Sequence, residues 1–438
     1  MSSTDDVVVG GPGTLREDSR CASRRPQRLH TWMSLIPVRE YELTRPPEVL
    51  FLDTFVTVER TPAEGASYLV RFEGDVPMTT VVEFGMIFVW YGDDLAVPDR
   101  PFPTLFSEPF PTAYVSSPPT VFNATHVMDF VENGSDNLHF TAVHLWDHSR
   151  IFDHEVTAET ITLKQDTRFH YGKCSTKRHI RLLSRVLPEL ELTQDYVYHG
   201  PCLAVVGATG KGTPDMHALV SLTPEGPNRT RVYVTIALAP TTFPVWMERG
   251  FGRVSRGRSV AEVAAGVMAG YVQNEFDIDA VIWSNRRHTH HPRLLPSERH
   301  LIDVIRWGRT FYPPGFDAEE SGRPSDVPRG WRDLGDLDSL STDDVRRFKI
   351  GGSHLVAFVD AQGEPRVFPA HCPHQGAHLG HGGTVVDGCL RCPFHGFHFD
   401  PDGNCVGRNP QKRSAKIESL ELEAVPCRVV ERRIHVFV

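Results

Sequence analysis

From Trp32 the apolar residues gather into short β-branched and aromatic runs broken by polar, Gly and Pro positions, the mark of short strands. Residues 1–27 come before this pattern, rich in Ser, Asp, Gly, Pro and Arg without any period, and they predict a disordered arm. Strand-like runs follow at Val49–Leu52, Phe55–Val58, Tyr68–Val70 and Met86–Trp90, set apart by Gly and Pro. After a Pro-rich connection from Pro98 to Pro119 the period lengthens, and Val131, Leu138 and Val143 take helix-compatible places. Further runs at Ile161–Leu163, Thr193–Tyr198, Ala218–Leu222 and Val232–Ala237 predict a broad antiparallel sheet. The clearest helix comes next. Ser259 and Glu262 form a capping box, and Val260, Val263, Ala264, Val267, Met268 and Tyr271 make one stripe, so this helix packs on that sheet. Residues 313–330, rich in Pro, Gly and acids, read as a linker, and a second strand-rich block closes the chain. The whole is α+β.

The two strand-rich blocks echo one another. Val81-Val82-Glu83-Phe84-Gly85-Met86 returns as Val429-Val430-Glu431-Arg432-Arg433-Ile434, and Trp32 before Leu35 matches Trp331 before Leu334. Two readings stand side by side: two copies of one β-domain, the first (28–95) lacking about half the length of the second (331–438), or two unrelated β-rich segments that share a short strand by chance. Residues 96–312 lie between them, before the linker.

Composition narrows the class. The 438 residues suffice for two or three domains with full cores, and a net charge of −9 does not suit a nucleic-acid binder. No apolar run reaches the ~18 residues of a membrane span, and the start does not resemble a signal peptide. Five of the eight cysteines follow residue 371, which is not how a disulfide framework is spread. A reducing, cytoplasmic setting with a local metal site is expected.

Candidate chemistry sits in two places. Within Glu132-Asn133-Gly134-Ser135-Asp136-Asn137-Leu138-His139, followed by His144, two imidazoles stand five positions apart with a carboxylate three residues ahead of the first. On a helix Asp136 would accept the outer ring N–H of His139. His144 would be turned about 140° away, so the helix must bend or end before both rings meet one ion. Two histidines and a later carboxylate suit an Fe(II) with open positions for dioxygen. Glu275, Asp277 and Asp279, at the end of the long helix, can each supply the third ligand. The second place is Cys372-Pro373-His374 and Cys392-Pro393-Phe394-His395 on Gly/Pro-rich loops. Two thiolates and two imidazoles suit a [2Fe–2S] centre with one sulfur-held and one nitrogen-held iron. Structural zinc could use the same donors, but it favours loops that do not mix Cys with His. Cys389 reads as a bystander.

Cys372-Pro373-His374-Gln375-Gly376-Ala377-His378-Leu379, with Cys392-Pro393-Phe394-His395-Gly396 and the Glu132-to-His144 motif, resembles the Rieske non-haem iron oxygenase family. Within it the chain is similar to the cholesterol 7-desaturase and 3-ketosteroid 9α-hydroxylase branch. The resemblance implies a helix-grip-type catalytic domain over 96–312 and a C-terminal all-β Rieske domain. It assigns Cys372, His374, Cys392 and His395 to the [2Fe–2S] cluster, His139 and His144 to a mononuclear iron, and Asp136 to an electron bridge. Phe276-Asp277-Ile278-Asp279-Ala280-Val281-Ile282-Trp283 is like the family's third-ligand context and selects Asp279. Electrons would come from NAD(P)H through a ferredoxin and/or flavin reductase, to hydroxylate or desaturate a bulky apolar, sterol-like molecule with O2. A homo-oligomer, by resemblance a homotrimer, is implied. One departure is large: relatives place the Rieske domain first, where this chain has its shortened copy, read as a degenerate Rieske-like sandwich without cluster ligands. The competing reading is a Rieske electron carrier or redox-regulated scaffold with no mononuclear iron. His288, His290 and His291 read as a solvated turn; Arg408, Lys412, Arg413 and Lys416 as an ordinary charged loop; Trp146 as pocket lining or core.

Overall fold

The computed structural model describes residues 7–8, 29–61, 67–105, 113–169, 189–210, 216–226, 228–238, 259–287, 292–312, 329–341, 343–408, 417 and 420–438. They form two compact units, one of residues 24–280 and 297–317, the other of 1–23, 281–296 and 318–438. These limits differ from the domain limits expected from sequence. The 28–95 block shares a unit with the large sheet, and 281–296 groups with the C-terminal strands. Of the expected disordered arm, Val7–Val8 (β1) pairs in parallel with Phe348 and Lys349, and the rest lies outside the described residues. The 313–330 linker is likewise outside them except for its last two residues.

In the larger unit, β2 (Thr31–Pro37), α1 (Val38–Thr44), β3 (Glu48–Phe51), β4 (Thr54–Arg60), β5 (Tyr68–Phe72), β6 (Val76–Met78), β7 (Thr80–Glu83) and β8 (Met86–Tyr91) build the N-terminal block. There follow β9 (Ala113–Ser116), β10 (Thr120–Asn123), α2 (Val127–Gly134), α3 (Asn137–Ala142), β11 (His148–Val156), β12 (Thr160–Phe169), β13 (Leu190–His199), β14 (Leu203–Gly210), β15 (Met216–Gly226) and β16 (Arg229–Leu238). The strands make an antiparallel sheet in the order β10-β16-β15-β14-β13-β12-β11, with β9 also on β16. β12 keeps the alternation of a strand with one buried face, whereas most of β15 and β16 is buried on both. One face explains this: Leu203, Val205, Leu219 and Tyr233 share a core with Trp32, Met86, Phe88 and Trp90 of the N-terminal block. Leu52 and Asp53 also donate their amides to the carbonyls of Pro224 and Glu225. That shared core is why no unit boundary falls near residue 95. On the other face lies α4 (Val260–Trp283), opened by the expected capping box: Glu262 N–H donates to Ser259 Oγ at 3.0 Å, and Ser259 N–H to Glu262 Oε2 at 2.7 Å. α5 (Arg299–Arg309) completes the unit's described helices.

The smaller unit holds β17 (Trp331–Asp336), β18 (Arg346–Ile350), β19 (Ser353–Val359), β20 (Pro365–Pro369), β21 (Thr384–Val386), β22 (Cys389–Arg391), β23 (His398–Phe399), β24 (Cys427–Val430) and β25 (Arg433–Phe437). Its core, including Leu334, Phe348, Leu355, Val367, Ile434 and Val436, draws on the β17-β25-β24 and β18-β19-β20 sheets.

The two strand-rich blocks share strand order, register and bulge. β2 pairs with β8 and β8 with β7; β17 pairs with β25 and β25 with β24. Trp32 faces Trp90 and Trp331 faces Phe437, and the register slips at Leu35 in one pair and at Leu334 in the other. Each bulge adds the residue that puts a buried leucine into the core. The β7–β8 and β24–β25 hairpins turn through two positive-φ residues, Phe84-Gly85 and Glu431-Arg432, which suits the twist of tight hairpins. Even the exits agree: Val38 N–H donates to Gly85 O, and Leu337 N–H to Arg432 O. Among the described residues, the N-terminal block has no counterpart of β21–β23, the hairpin region beside the Cys/His loops.

Candidate metal centres

The first centre is built where α2 stops. His126 caps that helix, accepting the Met128 amide at Nδ1 while its own amide donates to Asp129. Gly134 lies against Tyr198, with no room there for a Cβ, which would come within 2.1 Å of the phenol oxygen. The chain then breaks step, and Asp136 caps α3 by accepting the Leu138 amide at 3.0 Å. This changes the expected contact with His139. The Asp136 carboxylate serves as a cap, and it is the Asp136 main-chain carbonyl that takes the Nδ1–H of the ring, leaving Nε2 facing inward. α3 ends at Ala142, and Leu145, at φ 54°, turns the chain back. Trp146 stacks between Phe140 at 4.4 Å and Phe169 at 4.8 Å, so it is core and fixes the return. His144 therefore leaves the helix and meets His139 with ring centroids 5.1 Å apart.

Asp279, from α4, closes the triangle. One donor atom from each of His139, His144 and Asp279 lies within 4.8 Å of the others, and all three side chains are buried. Both Asp279 carboxylate oxygens are 3.2 Å from His144 Nε2. Glu275, one helical turn earlier, puts Oε2 2.6 Å from His144 Nδ1, a short but oblique approach that acts as an ion pair. Asp277, the remaining acid of the run, is exposed. Burial pushes His139 down to about 4. Burial also acts to lower His144, but Asp279 and Glu275 outweigh it and hold that imidazole up at about 10. Asn133 braces the group, its amide nitrogen 2.9 Å from Asp279 Oδ2 and 3.0 Å from His139 Nε2.

The second centre uses two loops of one design. Gly376 N–H donates to Cys372 O and Cys372 N–H to Ala377 O; Gly396 N–H donates to Cys392 O and Cys392 N–H to Phe397 O. Both glycines take φ near 70–77°, a region open to them without strain. The loops bring His374 Nδ1 to 2.9 Å from His395 Nδ1, and the thiol of Cys372 hydrogen-bonds to that of Cys392. That hydrogen bond draws Cys392 down to about 7 and favours the thiolate on it. Sulfur faces sulfur and nitrogen faces nitrogen, the pairing a Rieske cluster requires and a tetrahedral zinc site does not.

Residues 330–426 match the Rieske [2Fe-2S] domain, and residues 89–312, just over half of the chain, match the 3-ketosteroid 9alpha-hydroxylase C-terminal domain. The chain belongs to the Rieske non-haem iron oxygenase family. The cholesterol 7-desaturase nvd 1 of Ciona intestinalis is 37% identical over 115 residues, which is 26% of this chain and 24% of that protein. The oxygenase component of 3-ketosteroid-9-alpha-monooxygenase from Mycolicibacterium smegmatis is 38% identical over 89 residues, 20% of this chain and 23% of that protein. The chain spans about a quarter of the length of these curated relatives. Among solved structures, dicamba monooxygenase bound to 3,6 dichlorosalicylic acid aligns with a TM-score of 0.40 at 15% identity, over 64% of this chain and 96% of that one.

The donor sets fit the family's cofactors, a [2Fe–2S] cluster at the paired loops and a mononuclear iron at His139, His144 and Asp279. Two residues of this Rieske family member had no role assigned from sequence. Asn133 stood inside the Glu132-to-His144 motif, where its amide was the available signal, and Glu275 was weighed only as a ligand. Cys389 sits in β22 and enters neither donor set. His288, His290, His291, Lys412, Arg413 and Lys416 lie outside the described residues.

Proposed function

We propose that this chain is an oxygenase that hydroxylates or desaturates a bulky, apolar, sterol-like substrate with O2. The observation that carries this reading is the buried convergence of His139, His144 and Asp279. His139, His144 and Asp279 would hold an Fe(II), and a set of only two imidazoles and one carboxylate would suit it to dioxygen chemistry. When bound, the iron supplies dioxygen activation and the cluster supplies electrons one at a time. Cys372, Cys392, His374 and His395 hold the cluster. Asp136, whose buried carboxylate caps α3 directly ahead of His139, is the proposed bridge delivering electrons toward that ligand. Burial of the three iron ligands keeps bulk water from the open positions. Electrons come from NAD(P)H through a ferredoxin and/or flavin reductase, and the working form is a homo-oligomer, a homotrimer by analogy with the family. The names of the two relatives, one for cholesterol and one for a 3-ketosteroid, support a fused-ring substrate. Among the described residues no helix is long and apolar enough to cross a membrane.

Metal analysis tests the core of this reading: about three irons per chain are expected, against about two for a bare electron carrier. Turnover of a sterol and ketosteroid panel with a reductase chain then separates the outcomes, since hydroxylation adds one oxygen and desaturation removes two hydrogens. Asp136→Ala should retain both metals and lose coupled turnover; full turnover would remove Asp136 from the electron route.

A further inference from the structure

We propose that Glu275 is a positioning residue for the iron centre, holding the outer nitrogen of His144 so that Nε2 alone is offered to the metal. The inference rests on the iron-binding reading above and extends it to a side chain outside the ligand set.

Glu275 and Asp279 stand four residues apart on α4, so both carboxylates project from one face of the helix. The His144 ring enters between them, Nδ1 toward Glu275 at 2.6 Å and Nε2 toward Asp279 at 3.2 Å. The two carboxylates thus address opposite edges of one imidazole, and only one of them can share an ion with it. Glu275 is 8% exposed, and neither carboxylate oxygen makes a well-aligned hydrogen bond among the described residues, so the ion-pair approach to His144 is what faces this buried anion, a costly placement for a group with no task. Asp277, two residues on, points to solvent, so the acidity of this run does not by itself bury Glu275. The two imidazoles also differ in support, His139 leaning on the neutral Asp136 carbonyl and His144 on a full carboxylate. A carboxylate behind a ligating imidazole fixes its tautomer and raises its basicity. With two neutral imidazoles and a divalent iron, Asp279 would leave one positive charge among the ligands, and Glu275 lies close enough to offset it. Without Glu275 that charge would lose the carboxylate at the outer nitrogen of His144 and be less compensated away from water.

The test uses the full chain with its cluster loaded and the mononuclear site emptied by a chelator, titrated with Co(II) and followed by its ligand-field absorption. Glu275→Leu should weaken Co(II) binding about 10–100-fold with the cluster spectrum unchanged, and Glu275→Gln, which keeps an acceptor oxygen but not the charge, should fall between it and wild type. A purely structural role would instead lower the melting temperature of the metal-free protein and leave the Co(II) affinity and band positions of folded variants alone. If Glu275→Leu does not fold, Glu275→Gln decides, and either variant binding within about twofold of wild type, against the loss expected for such a partner, overturns the proposal. Wild-type protein that takes up no Co(II) would refute the iron-binding reading itself, and this inference with it.

Discussion

Gly134→Ala tests how far the iron site depends on the packing behind it. A Cβ at this position would lie 2.1 Å from the Tyr198 phenol oxygen, where ordinary contact begins near 3.4 Å, so one of the two must give way by about 1.3 Å. Tyr198 is buried and hydrogen-bonded to Ser135, and therefore cannot swing into solvent. The backbone of Gly134 lies outside the positive-φ region, so alanine would gain ~1 kcal/mol of helix propensity. Overpacking costs about 1–3 kcal/mol, leaving a net loss of about 0–2 kcal/mol. The larger effect falls on geometry. Ser135, Asp136 and the start of α3 follow directly, and a displacement of about 1 Å at His139 can cost on the order of 100-fold in turnover. Gly134→Ala should thus stay folded by thermal denaturation yet lose much of its Co(II) affinity and activity. Tyr198→Phe in the same chain removes the clashing oxygen and should restore a large part of both. Wild-type affinity in Gly134→Ala, or no rescue in the double variant, would refute the argument.

Asp279→Asn should remove the mononuclear iron and keep the cluster, so that iron content falls from about three to about two per chain while the visible cluster absorption persists. Gly376→Ala would drive a Cβ to 1.8 Å from the Arg287 carbonyl at a φ of +77°, and cluster content measured by visible absorption should drop. Burial alone would raise the pKa of Asp360, but the Glu364 and Gln362 amides and the Arg366 guanidinium outweigh it and hold it below the usual carboxylate value. Its contribution is therefore present above the unfolded pKa of ~3.9 and lost as pH falls through the folded value. Asp360→Asn should cost about 1–3 kcal/mol near neutral pH, the difference shrinking in acid denaturation midpoints; an equal loss at all pH values would show the charge to be irrelevant.

Local signals carried much of this architecture. The Ser259–Glu262 cap, the repeated Trp-x-x-Leu segments and the two Cys/His loops are short-range patterns whose elements occur in the fold, whereas the Val-Val-Glu echo is one residue out of register, since Phe84-Gly85 turns where Glu431-Arg432 does. The division into units was less legible, because it depends on the distant core that Trp32 and Phe88 form with Val205 and Tyr233. The same limit governed the site. Helical phase proposed that His144 must leave the helix, but the turn at Leu145 and the stack of Trp146 on Phe169 depend on contacts from β12. Asp136 shows a subtler failure. Treating it as a helical residue gave its carboxylate to His139, whereas as an N-cap it turns that group to the Leu138 amide and offers its carbonyl instead.

The matched bulges at Leu35 and Leu334 mark two similar strand-rich blocks that serve different duties. The block that buttresses the large sheet is the one without Cys/His loops, so the core it shares with that sheet contains no cluster donor. Loss of cluster iron and sulfide would strip donors from the C-terminal loops alone, while His139, His144 and Asp279 stand on a scaffold of their own.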